Sequence, residues 1–128
     1  MSDKKYKILL LDDDQFLIDM YSLKFNQAGH TVQPCFSVDE ALKALHDGFA
    51  PDAVLFDLVM PGKDGFDFLR GLKEEKLAPN ATLIALTNQS ADEEKKKTEE
   101  VGTEAYIVKA MTIPSEVVHM VIAAIEKK

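Results

Sequence analysis

The chain has 128 residues, 46% of them hydrophobic and 29% charged, with a net charge of −7. That length suits about one ordinary domain, the composition excludes a disordered polyelectrolyte, and no apolar run approaches the roughly 20 residues that span a bilayer. The acidic balance argues against direct binding to nucleic acid, the lone Cys35 rules out an internal disulfide, and the start Met1-Ser-Asp-Lys-Lys lacks a signal peptide's apolar core. A cytoplasmic protein with no membrane partner is expected.

Short apolar runs alternate with longer amphipathic segments along the chain. Lys7–Leu11 is too short for a typical helix and reads as a first strand. Phe16, Leu17, Met20, Tyr21, Phe25 and Ala28 then recur at helical spacing, with Asp14 as the N-cap and Gly29 just past the C-terminus. His30–Phe36 is a second strand, and Pro34 inside it marks a sheet edge, where a missing N–H is tolerated. Ser37-Val-Asp-Glu40 is a capping-box pattern that opens a second helix, which Gly48 closes. Ala53–Phe56 is the third strand, followed by a helix marked by Phe66, Leu69 and Leu72. Thr82–Leu86 is the fourth strand. Ser90-Ala-Asp-Glu93 is a second capping box, opening a fourth helix over Ala91–Val101, with Gly102 after it. Ala105–Val108 is the fifth strand, and Pro114 suits the first turn of a fifth helix striped by Val117, Val118, Val121, Ile122 and Ile125.

Five β–α pairs in alternation predict one α/β domain over residues 1–128, a flavodoxin-like doubly wound sheet of five parallel strands in the order 2-1-3-4-5, with five helices. Ligands in such sheets bind beyond the carboxyl ends of the strands. Those ends carry Asp12-Asp13-Asp14, Asp57, Thr87 and Lys109. Two carboxylates about 5 Å apart repel by roughly 3 kcal/mol at an effective dielectric near 20, so such a group must protonate or hold a cation. An open, all-oxygen site suits Mg²⁺, which keeps waters and pairs with phosphate. Lys109 adds a second positive charge, Thr87 a hydrogen-bond donor, and the central Asp57 a nucleophile.

Leu9-Leu-Leu-Asp-Asp-Asp14, Leu55-Phe-Asp-Leu-Val-Met-Pro-Gly-Lys-Asp-Gly65, Ile84-Ala-Leu-Thr87 and Tyr106-Ile-Val-Lys109 together resemble the response-regulator receiver domain of two-component signalling, as in stand-alone chemotaxis regulators. The resemblance implies a phosphoacceptor signalling domain rather than an enzyme. Asp57 would accept a phosphoryl group from a phosphohistidine of a sensor histidine kinase or phosphotransfer protein, and would later lose it slowly. Asp13 would bind Mg²⁺ directly and Asp12 mainly through water, with Asp57 and the backbone carbonyl of Val59 as further ligands. Thr87 and Lys109 would contact the phosphoryl group, and Thr87 and Tyr106 would switch a surface built from helix 4, strand 5 and helix 5. The sequence departs from the family in Ala110, where proline usually follows the lysine, and in Asn88, where a small residue usually follows the threonine. Val59 and Gln89 would flank the path of the hydrolytic water.

Two other readings compete. A pseudo-receiver would keep the fold and bind partners without phosphorylation, and Ala110 and Asn88 favour it mildly. A haloacid-dehalogenase-type phosphatase would use the Asp-x-Asp of Asp12–Asp14, but leaves Asp57 without a role. A flavin site is disfavoured by the acidic first loop. His30, His46 and His119 lack ligand spacing and read as structural or surface residues.

Overall fold

The computed structural model describes residues 4–87, 103–109 and 112–127. The expected fourth helix over Ala91–Val101, its capping box at Ser90, and Asn88, Gln89, Gly102 and Ala110 lie outside the described residues. Strands β1 (Lys7–Leu11), β2 (Thr31–Cys35), β3 (Ala53–Asp57), β4 (Thr82–Thr87) and β5 (Ala105–Val108) form one parallel sheet in the order β2-β1-β3-β4-β5, as the alternation predicts. The described helices are α1 (Gln15–Gln27), α2 (Val38–His46), α3 (Gly65–Glu74) and α4 (Pro114–Glu126), the last being the fifth of the sequence-based count. β3 lies at the centre with every residue buried, whereas β2 is an edge strand and carries Pro34 opposite Leu10.

The pleat sends successive side chains to opposite faces, so the sheet has two cores. One gathers Leu9, Leu11, Val54, Phe56 and Ala85 beneath α2 and α3. The other gathers Ile8, Leu10, Ala53, Leu55, Ile84, Leu86 and Ile107 beneath α1 and α4. On α4 the expected stripe holds, with Val117, Val118 and Val121 buried and Ile122 and Ile125 partly so.

On α1 it shifts. The buried residues are Ile18, Tyr21 and Phe25, and Phe16 is 73% exposed. This helix is apolar on two sides, so helical spacing alone does not fix which side meets the sheet. The cap does: Asp14 accepts the Leu17 N–H at 3.2 Å, and the helix begins in a phase that turns Phe16 outward.

Ser37 caps α2 by accepting the Glu40 N–H at 3.2 Å, while the Glu40 carboxylate reaches back to accept from the Phe36 N–H and the Ser37 hydroxyl rather than from the Ser37 N–H. A full capping box instead opens α3, between Asp64 and Asp67. Gly29 and Gly48 close α1 and α2 in the left-handed region, at φ of +93° and +107°. His30 is structural: it is buried, packs against the rings of Tyr6 and Phe25, and accepts the Tyr6 N–H at Nδ1. Burial pushes the Cys35 thiol up to about 12, with the Glu40 charge adding to it, so the thiol acts as a small apolar group.

Candidate functional site

β1 and β4 flank the central β3, and β5 lies beyond β4, all parallel, so the carboxyl ends of β1, β3 and β5 deliver side chains to one edge. Asp57 is the last residue of β3, one residue further along the strand than its apolar run, and Asp12 and Lys109 directly follow β1 and β5. Continuing the two-residue alternation puts all three on the α1 and α4 side of the sheet, in line with Leu10, Leu55 and Ile107.

They meet there. Lys109 Nζ lies 2.6 Å from Asp12 Oδ2 and 3.2 Å from Asp57 Oδ2. Asp12 is fully buried and Asp57 is 3% exposed, while Asp13 stands at the surface. Carboxylate oxygens of Asp12, Asp13 and Asp57 fall within 4.8 Å of one another. The other Asp57 oxygen, Oδ1, accepts the Val59 N–H at 3.2 Å, and Asp12 Oδ1 accepts the Asp14 N–H at 2.9 Å. These groups line an open cleft of about 710 Å³ whose far wall is Val59, Met60 and Pro61.

The electrostatics follow from this crowding. Burial, then the Asp12 charge, push Asp57 up to about 6 against the opposing pull of Lys109 and the Val59 N–H. Burial also raises Asp12, although Lys109 and the Asp14 N–H draw it down. For Lys109 burial acts downward, but contact with Asp12 and the charges of Asp12 and Asp57 outweigh it and hold the ammonium above its ordinary range. The site therefore gathers three carboxyl groups around one ammonium, an acidic excess that opens into the cleft.

This donor set fits a hard divalent cation. The donors are all oxygen, and Asp12 Oδ2 is a buried acceptor. Its close partner among the described residues is itself a cation, the Lys109 ammonium. One face is open through the cleft, which leaves room for the waters that Mg²⁺ retains.

Thr87 and Tyr106 are placed differently. Thr87 is buried at the end of β4 and falls in line with Ala85, on the α2 and α3 side of the sheet. Tyr106 pairs with Ala85 in register and packs against that same core. Neither lines the acidic cleft. Asp14 does reach it, yet its side chain is engaged as the α1 cap, as its sequence position suggests. Two further lining residues, Met60 and Pro61, lie in the turn that follows β3.

A family model described as the response regulator receiver domain matches residues 8–122. The chain belongs to this family. Receiver domains are signalling modules of two-component systems, and they bind Mg²⁺ at an acidic pocket of this kind. Among curated relatives, the transcriptional regulatory protein ResD of Bacillus subtilis (strain 168) is 32% identical over 122 residues, which are 94% of this chain and 48% of ResD. The chain spans about half the length of the curated relatives it matches. Among solved structures, the chemotaxis protein CheY4 of Vibrio cholerae superposes with a TM-score of 0.86 at 23% identity, covering 94% of this chain and 99% of that one. The BeF3-activated receiver domain of DrrB, from Thermotoga maritima, gives a TM-score of 0.79 at 28% identity, covering 96% and 99%.

Proposed function

We propose that residues 1–128 act as one receiver domain that is phosphorylated on Asp57 in a Mg²⁺-dependent reaction. The observation that carries this reading is the contact of Lys109 with both Asp12 and Asp57 at the mouth of an acidic cleft, 2.6 and 3.2 Å away. Groups from three remote segments of the chain converge there, and a structural ion pair alone would not need the surplus of carboxylates.

The chemistry is displacement at phosphorus. An Asp57 oxygen forms the new bond as the donor's P–N bond breaks, and the imidazole of a sensor kinase or phosphotransfer protein leaves with the electron pair. Asp57 enters as a carboxylate, which at neutral pH it is. Lys109, already 3.2 Å from Asp57, would follow the charge onto the phosphoryl oxygens. Asp12, Asp13, Asp57 and the Val59 carbonyl would hold Mg²⁺, which supplies charge neutralisation to the incoming oxygens when bound.

Thr87 and Tyr106 share the face opposite the acidic groups, so Thr87 would have to reach around the end of β4 to contact a phosphoryl oxygen. That movement would open space beside Tyr106, two positions back on the neighbouring strand. It would thereby bias the surface around β5 and α4 toward a second state. Amide exchange over residues 91–106 should change when beryllofluoride and Mg²⁺ are added, and unchanged exchange would contradict this part.

Phosphoryl uptake itself is tested by incubating the protein with acetyl phosphate and Mg²⁺ and counting phosphoryl groups by intact mass. One group is expected with Mg²⁺ and none with chelator. No uptake under either condition would favour the pseudo-receiver reading, and uptake with chelator would contradict the role of the metal.

A further inference from the structure

Gly65 opens α3, and its N–H donates to the Leu58 carbonyl at 3.1 Å. A Cβ on this residue would sit 2.5 Å from the Asp57 carbonyl oxygen and 2.8 Å from Leu58 Cα. Both are backbone atoms, so no side-chain rotation relieves the contact. The two other glycines nearby differ in kind. Gly62 has a φ of +76° but nothing within 4 Å of its Cβ position, and at Gly71 a Cβ would meet only the Leu42 side chain.

The surroundings decide what would yield. β3 is buried along its whole length and paired on both sides, so Asp57 cannot retreat into the sheet. α3 is pinned by the Asp64–Asp67 capping box at its start and by Phe68, Leu69 and Leu72 in the core. Between these two fixed bodies lies the Asp57–Leu58 peptide and the turn to Val59. That peptide sets the direction of the Asp57 carboxylate and presents the Val59 N–H to Oδ1.

We propose that Gly65 is a positioning residue for the phosphoacceptor. By lacking a side chain it lets the first turn of α3 seat on the Asp57–Leu58 peptide, and that seat fixes the carboxylate and the Val59 backbone toward the cleft. The proposal rests on the reading of Asp57 as phosphoacceptor. Restoring ordinary contact for an alanine takes a shift of about 1 Å, and a misplacement of that size costs about 100-fold in rate.

The experiment compares the wild type with Gly65→Ala and Gly62→Ala for uptake from acetyl phosphate and for affinity toward Mg²⁺ alone. Gly65→Ala should slow uptake by about 100-fold and weaken Mg²⁺ by about tenfold, while Gly62→Ala, strained but sterically open, keeps both. A merely structural glycine would make both variants lose stability and leave the Mg²⁺ affinity of the folded protein alone. Should Gly65→Ala not fold, Asp64→Ala loosens the same seat and should weaken Mg²⁺ several-fold, with Asp64→Asn, which retains a capping oxygen, restoring it. Uptake by Gly65→Ala at the wild-type rate, or equal Mg²⁺ affinity in Asp64→Ala and the wild type, overturns the proposal. A wild type that takes no phosphoryl group overturns the reading of Asp57, and this inference with it.

Discussion

Replacing Asp57 with Asn should stabilise the metal-free protein at neutral pH, although it removes the group proposed to react. Asp57 is buried and held near 6, against an ordinary 3.8, first by burial and then by the Asp12 charge. A carboxyl raised in this way favours the folded state only when protonated. The folded chain binds more protons than the unfolded chain between about pH 4 and 6, so stability falls as pH rises through that window. At pH 7 the full penalty is about 3 kcal/mol. That figure is already net of the attraction to Lys109. Asn preserves the shape and the oxygen that accepts the Val59 N–H, but its buried amide N–H₂ would face the Lys109 ammonium at a cost of about 1–2 kcal/mol. A net gain of about 1–2 kcal/mol remains, or roughly 3–8 °C in melting temperature for a domain of this size. Urea unfolding followed by circular dichroism, with chelator, at pH 7 and at pH 4.5, measures it. The gain should be present at pH 7 and shrink at pH 4.5, and added Mg²⁺ should stabilise the wild type more than the variant. An Asn variant less stable than the wild type at pH 7 in chelator, or a gain that does not change with pH, would refute the electrostatic account.

Asp13→Ala should weaken Mg²⁺ binding, measured by calorimetry, far more than Lys109→Ala does, because Asp13 supplies an exposed oxygen to the cleft and Lys109 supplies none. Lys76 and Ala78 hold positive φ of 53° and 47° in the loop after α3, so Lys76→Gly and Ala78→Gly should each add up to about 1 kcal/mol in urea unfolding. Val59 lines the cleft with an exposed apolar side chain that cannot orient water, so phospho-Asp57 should persist for minutes to hours. Val59→Asn should shorten that lifetime several-fold, and equal decay rates would remove Val59 from the argument.

The acidic cleft was legible because it depends on topology. Once five strands alternate with five helices, Asp12, Asp57 and Lys109 must share an edge, whatever the details of packing. Pro34 was legible for a similar reason, since a missing N–H has few places in a sheet. The α1 core face was not, because Phe16, Met20 and Leu23 make the outward side as apolar as the inward side and only the Asp14 cap breaks the tie. The Asp64–Asp67 box escaped notice because its N3 residue is Asp, where a Glu is the usual signal. Thr87 ends β4 in line with Ala85, on the other face of the sheet from Asp57, a parity that the two-residue alternation of a strand makes readable from the sequence. The demand on Gly65 comes from a backbone contact with residues seven and eight positions earlier in the chain, which local spacing does not reveal.

The central claim is that the phosphoryl group resides on Asp57, and borohydride trapping tests it most directly. An acyl phosphate is reduced to an alcohol, so phosphorylation followed by borohydride converts the labelled aspartate to homoserine, which tandem mass spectrometry locates by residue. Homoserine at position 57, dependent on Mg²⁺ and absent from Asp57→Asn, is the predicted result. Homoserine at Asp12 or Asp14, or a label that survives in Asp57→Asn, would contradict it.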